Sequence, residues 1–126
     1  MSVKPDNFMV WSEIPVTDMA RAISFYQDVF KVVLAEDTSG PNPMAMFPTA
    51  DGKGVAGNLY PGEPAGNGTG PTVHFASPDK LEDALGRVEK AGGKVVSEVM
   101  EIPDGRFAYC HDPDGNSIGI FTYGKG

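Results

Sequence analysis

Cysteine is nearly missing from this chain: Cys110 stands alone, which excludes an intrachain disulfide and any paired-cysteine zinc motif. Histidine is scarce as well, with His74 and His111 as its two representatives. Lys and Arg number 10 against 17 Asp and Glu, a net charge of −7, and the basic residues do not cluster. A chain of that sign repels a phosphate backbone, so nucleic acid is not an expected partner. No apolar run approaches the roughly 18–20 residues of a membrane-spanning helix. The segment Met1–Asp6 has no apolar stretch of the signal-peptide kind. These absences lead to the expectation of a cytoplasmic protein that does not engage a membrane.

What is present reads as one domain over residues 1–126, long enough to bury a core without covalent staples. The strongest local signal is Asp112-Pro113-Asp114-Gly115-Asn116. Pro fixes φ, Gly supplies a positive φ, and Asp and Asn side chains cap their own backbone, so these five residues encode a tight reversal. The flanking runs Arg106–His111 and Ser117–Tyr123 are therefore expected to pair as an antiparallel hairpin.

Upstream, Phe8–Val16 reads as a strand, and Thr17-Asp18 as the cap of a helix reaching about Phe30. Met19, Ile23, Tyr26 and Phe30 form its apolar stripe. Strands are expected at Lys31–Glu36, Met44–Pro48 and Val55–Tyr60, with a turn at Asp51-Gly52-Lys53-Gly54. Residues 61–71 follow as a connector, seven of the eleven being Gly or Pro. Then the order repeats: a strand Thr72–Ala76, a Ser77-Pro78-Asp79 cap, a helix with the stripe Leu81, Leu85 and Val88, a stop at Ala91-Gly92-Gly93, and strands at Lys94–Glu98, Arg106–His111 and Ser117–Tyr123. Local echoes support a duplication: Ala22-Ile23 against Ala84-Leu85, and Lys31-Val32-Val33 against Lys94-Val95-Val96. The fold class is thus α+β, two βαβββ modules over about 7–60 and 72–123. Neither module covers its apolar face alone, so they pack together or exchange with a second chain.

Strand alternation brings candidate chemistry onto common faces. Glu13 shares a face with Trp11, His74 with Thr72, and Phe107 with Tyr109 and His111. Glu13 and His74 fall at matching places in the two modules, so a carboxylate and an imidazole are expected to converge in one apolar cleft. There they either bind a polar group and move a proton, or serve as mutual hydrogen-bond partners that stabilise the wall. Trp11, Tyr60, Phe107 and Tyr109 read as an aromatic lining for a planar ligand or as core filling. Cys110 alternates to the helix-packed side and reads as a small buried hydrophobe. His111 reads as a hairpin-end residue.

Taken together, Ile14–Tyr26, Leu81–Gly93, Gly105–Tyr109 and the Asp112–Asn116 turn resemble the vicinal-oxygen-chelate superfamily, the group of glyoxalases, bleomycin-resistance proteins and extradiol dioxygenases. The resemblance spans about residues 7–123. It implies an eight-stranded sheet curled around a cavity, usually a homodimer, and commonly a divalent metal held by His, Gln or Glu from each of four strands. Carried onto this chain, those positions are Trp11, Asn58 (or Gly57 by a register shift of one), Thr72 and Gly119. An indole N–H has no lone pair to give and glycine has no side chain. Asn and Thr oxygens are weak neutral donors. No metal or other cofactor is therefore expected, and Gly119 is expected to enlarge the cavity. The resemblance then implies a protein that binds a small organic molecule, as bleomycin-resistance proteins do. Its alternatives are a lyase, isomerase or dioxygenase using nonstandard ligands or Glu13 as base, and a noncatalytic module with a vestigial cavity.

Overall fold

The computed structural model describes residues 3–124; Met1 and Ser2 of the N-terminal segment, with Lys125 and Gly126, lie outside them. The first module runs β1 (Ser12–Val16), α1 (Met19–Phe30), β2 (Ala35–Asp37), β3 (Met44–Met46) and β4 (Gly57–Pro61). The second runs β5 (Val73–Ala76), α2 (Leu81–Lys90), β6 (Lys94–Val95), β7 (Met100–Ile102), β8 (Gly105–His111) and β9 (Ser117–Tyr123). The duplicated α+β architecture is that expected from the chain, with β7 as an addition inside a stretch that reads as loop.

The single curled sheet is a point of correction. The strands form two open sheets, ordered β1-β4-β3-β2 and β5-β9-β8-β6, with β7 on β8. Each module closes on itself through a parallel pair, β1 with β4 and β5 with β9. That leaves β1 and β5 each with one neighbour, as edge strands.

Local chemistry explains where the elements begin. Asp18 caps α1 by accepting from the Arg21 backbone N–H at 3.0 Å, as expected of this residue type. At the other end Lys31 takes a left-handed conformation (φ 56°), and the Leu34 N–H is spent on the Gln27 side chain. The chain therefore cannot start β2 until Ala35. Phe8–Trp11 stays outside β1, exposed and without a strand partner. At α2, Asp79 is not the cap. Its carboxylate accepts from Arg87 at 2.9 and 3.0 Å and pairs with Lys31 at 3.0 Å, bonds that hold its pKa down to about 2. Arg87 also donates to the Val29 carbonyl at 2.9 and 3.1 Å, so one guanidinium ties the last turn of α1 to α2.

The buried face of α1 is Ala22, Phe25, Tyr26, Val29 and Phe30. Met19 and Ile23 of the expected stripe are only half-buried, because the helix is rotated toward α2 as well as toward its own sheet. Leu81, Ala84 and Val88 face inward from α2, and Ile14, Val16, Leu59, Ala108, Cys110, Ile118 and Ile120 from the sheets. Burial pushes the Cys110 thiol up to about 11, which leaves it a packed hydrophobe.

The Asp112–Asn116 turn joins the modules. Gly115 (φ 81°) donates its N–H to the Asp112 carbonyl, closing the reversal. Asp114 reaches α1, accepting from the Thr17 hydroxyl at 2.5 Å and from Arg21 at 2.9 Å. Asn116 donates to the Pro15 carbonyl at 2.8 Å, and Asp112 accepts from Tyr26 at 2.7 Å. Gly68 of the connector lies against the His111 ring, where a Cβ would have no room, and donates its N–H to the Gly115 carbonyl at 2.8 Å. His111 thus seats the connector on the hairpin end.

Candidate functional site

Each sheet has one face under a helix and one face away from it. On the first sheet, the parallel register sets Glu13 beside Asn58 and Pro15 beside Tyr60, opposite in facing to Ile14 and Leu59. Glu13 is exposed and Tyr60 half-buried. Trp11, 46% exposed, swings its indole over this face and donates Nε1–H to Asn58 Oδ1 at 2.7 Å, leaving Asn58 only 1% exposed. The Asn58 amide nitrogen donates to the Leu59 carbonyl at 3.2 Å.

On the second sheet, His74, Phe107, Tyr109, Gly119, Phe121 and Tyr123 share the face away from α2. The rings form a continuous set. His74 lies edge-on to Phe107 (5.5 Å, 83°) and to Tyr109 (5.8 Å), and Phe107 stacks on Phe121 (6.1 Å, 17°), which meets Tyr123 at 4.9 Å. These separations lie in the favourable range for ring pairs. Thr72 leaves β5 at the end of this face, where its hydroxyl shares a 2.5 Å hydrogen bond with Ser117.

Between the free edges of β1 and β5 lies a cavity of about 860 Å³. Ser12 and Ile14 enter it from β1, Phe47 and Val55 from the β3–β4 side, and Thr72 and His74 from β5. Its floor reaches the Tyr26, Phe30, Phe47 and Phe75 ring cluster. Among the described residues no Asp, Glu, Lys or Arg lines it, and His74 is the one titratable group there. Partial burial pushes that imidazole below its ordinary pKa.

The convergence of Glu13 and His74 is corrected by this geometry. Ser12 and Ile14 of β1 line the cavity, and Glu13 between them, paired in register with Asn58, does not. His74 and Thr72 reach the cavity; Glu13, Trp11, Asn58, Tyr60, Phe107, Tyr109 and Gly119 do not. The aromatic set is likewise divided, Trp11 and Tyr60 on one sheet, Phe107 and Tyr109 on the other. Gly119 does not enlarge anything either, since the His74 imidazole packs directly over it and takes the space of a Cβ. Phe121 and Tyr123 were not among the sequence candidates. Alternation from Gly119 along β9 is the signal that points to them.

The four positions where the resemblance implies metal ligands are engaged within the fold. Trp11 offers only a donor, the Asn58 oxygen accepts that donor, Thr72 pairs with Ser117, and Gly119 lies under His74. Among the described residues, no group of three His, Cys, Asp or Glu side chains is placed to hold an ion. This donor set does not fit a divalent transition metal.

The sequence profile of the Glyoxalase/Bleomycin resistance protein/Dioxygenase superfamily matches residues 8–120, and the chain belongs to that family. It is 29% identical over 119 residues to a glyoxylase-like domain-containing protein of Didymella fabae, covering 87% of this chain and 89% of that one. Among solved structures it is similar to a glyoxalase/bleomycin resistance protein from Albidiferax ferrireducens, with TM-score 0.71 and 21% identity over 94% of this chain and 100% of that chain. It is also similar to the fosfomycin resistance protein FosX from Listeria monocytogenes, with TM-score 0.69 and 16% identity over 98% and 95%. At these identities the structural likeness shows the fold. Among the described residues no helix is long and apolar enough to cross a membrane.

Proposed function

We propose that this chain is a binding protein of the superfamily that holds a small organic molecule in the inter-module cavity and does so without a divalent metal. The observation that carries this reading is the engagement of all four implied ligand positions by internal contacts, beside a cavity of about 860 Å³ whose wall, among the described residues, carries no Asp, Glu, Lys or Arg. Cavities of that size and polarity suit small-molecule ligands. Lyase or resistance chemistry, as the names of the Agrobacterium tumefaciens lactoylglutathione lyase and FosX suggest for those proteins, has less support here. Glu13 as a general base lacks the His74 partner expected of it.

A thermal-shift screen tests the reading. A ligand that binds only the folded chain stabilises it by about 2.7 kcal/mol at a hundred times its Kd. We expect uncharged organic molecules to raise the midpoint, and zinc, nickel, iron and manganese to leave it unchanged. Stoichiometric metal uptake by calorimetry would overturn the metal-free part, and a screen without any stabilising molecule would overturn the binding part.

The same reading includes a homodimer. Phe8, Met9 and Val10 are exposed beside the free edge of β1. Apolar surface and unpaired edges of this kind invite a second copy. Light scattering on the purified protein is expected to give the mass of two chains; the mass of one chain at tens of micromolar would reject the dimer.

A further inference from the structure

The ring face of the second sheet carries an opening of its own, about 680 Å³, lined by Ile102, Phe107, Phe121 and Tyr123. Val55, His74, Phe75 and Ala76 line both this opening and the inter-module cavity. The two spaces therefore meet along the edge strand β5, with Val55 on the opposite side. We propose that the two spaces form one elongated site across that edge, which takes an uncharged aromatic molecule: its ring on the His74, Phe107 and Phe121 platform, its apolar remainder in the inter-module cavity. This inference rests on the small-molecule reading above and adds the ligand's class.

Three features define the class. First, among the described residues the combined wall contains no Asp, Glu, Lys or Arg. An ion of either sign would leave water without a counter-charge, which is costly in an apolar site. The chain's net charge of −7 thus says nothing about this ligand, because the acidic groups lie elsewhere. Second, the platform presents ring edges and faces at 5–6 Å spacings, with His74 at 83° to Phe107 and Phe107 at 17° to Phe121. A further aromatic ring continues that pattern of edge-to-face and offset contacts. Third, His74 stands at the junction with its ring held over Gly119. His74 is exposed on this face, and the partial desolvation by its neighbours favours the neutral imidazole, which supplies one hydrogen bond to a hydroxyl or carbonyl without a charge.

The test uses three probes with the same ring: naphthol, naphthoate and naphthylmethylammonium, titrated at neutral pH and read by calorimetry and backbone amide shifts. Naphthol is expected to bind at least about tenfold more tightly than either ion, the scale of burying a charge without a partner. Shifts should include Val55, Ala76 and Phe121. Equal or tighter binding of an ion would overturn the inference while leaving the small-molecule reading intact. Naphthol binding with shifts confined to one side of β5 would overturn the single elongated site. Ala76→Trp, at an exposed position on the edge strand, is expected to weaken naphthol about tenfold by blocking the passage. His74→Gln, which retains a hydrogen-bonding group, should cost less than His74→Leu. Unchanged naphthol affinity in folded Ala76→Trp would reject the shared site. If nothing in the thermal screen binds, the underlying reading fails with it.

Discussion

Replacing Asp112 by Ala is expected to remove about 3–5 kcal/mol of folding free energy, a large part of what a domain of this size has. The carboxylate is 3% exposed and accepts four hydrogen bonds. They come from the Tyr26 hydroxyl at 2.7 Å, the Asn116 amide at 2.9 Å, and the Asp114 and Asn116 backbone N–H groups at 2.9 Å each. Truncation takes this acceptor from all four donors. The Asn116 amide keeps its bond to the Pro15 carbonyl, while the buried Tyr26 hydroxyl and the two part-buried backbone N–H groups lose theirs. Each such loss carries a desolvation penalty of about 1–3 kcal/mol, shared because they act as a unit. Burial, then the nearby Asp112 charge and hydrogen bond, hold the Tyr26 phenol well above its ordinary pKa, so it remains a donor throughout the working pH range. Urea unfolding of Asp112→Ala, Tyr26→Phe and the double variant gives the coupling directly. The double variant should lose less than the sum of the singles. A loss below about 1 kcal/mol in Asp112→Ala would contradict the role given to this carboxylate in both the turn and the contact with α1.

A second large effect is expected at Phe25. Its ring is fully buried, stands perpendicular to Tyr26 at a centroid distance of 4.9 Å, and rests against Gly93. Gly93 leads into β6, and its absent side chain is what makes room for the ring. Phe25→Ala is expected to cost about 3–5 kcal/mol through lost burial and the cavity left behind. The reverse change, Gly93→Ala, places a methyl 2.6 Å from Phe25 Cε1 and 2.5 Å from the His111 carbonyl oxygen. Overpacking of this kind costs about 1–3 kcal/mol. Combining the two should not restore stability, because the clash with the His111 carbonyl is with backbone and survives removal of the ring. Chemical denaturation of the three variants checks this, and full recovery in the double variant would contradict the stated geometry.

Much of the architecture was legible because its causes are local. Asp18 caps α1 whatever surrounds it, and a Pro-Asp-Gly-Asn run reverses the chain by its own backbone preferences. The place of β1 was less legible: Phe8–Trp11 has strand-like residues but no neighbouring strand to pair with. Asp79 illustrates the same limit, since a residue with cap-like spacing is claimed instead by Arg87 and Lys31.

The candidate site divides along the same line. Alternation along a strand correctly grouped Thr72 with His74 and Phe107 with Tyr109, because period two is a property of the extended backbone. It could not say which face meets which across the two modules. That depends on how α1 and α2 pack and on the turn that docks onto Pro15, Thr17 and Tyr26, contacts between residues 86 to 101 positions apart. The order of elements, their caps and turns, and the poverty of metal-donating side chains were set by the chain itself, through short-range sterics and side-chain chemistry. The separation of Glu13 from His74, the ring of His74 filling the space at Gly119, and the uncharged space along β5 were decided only in the folded molecule, where distant segments compete for the same volume.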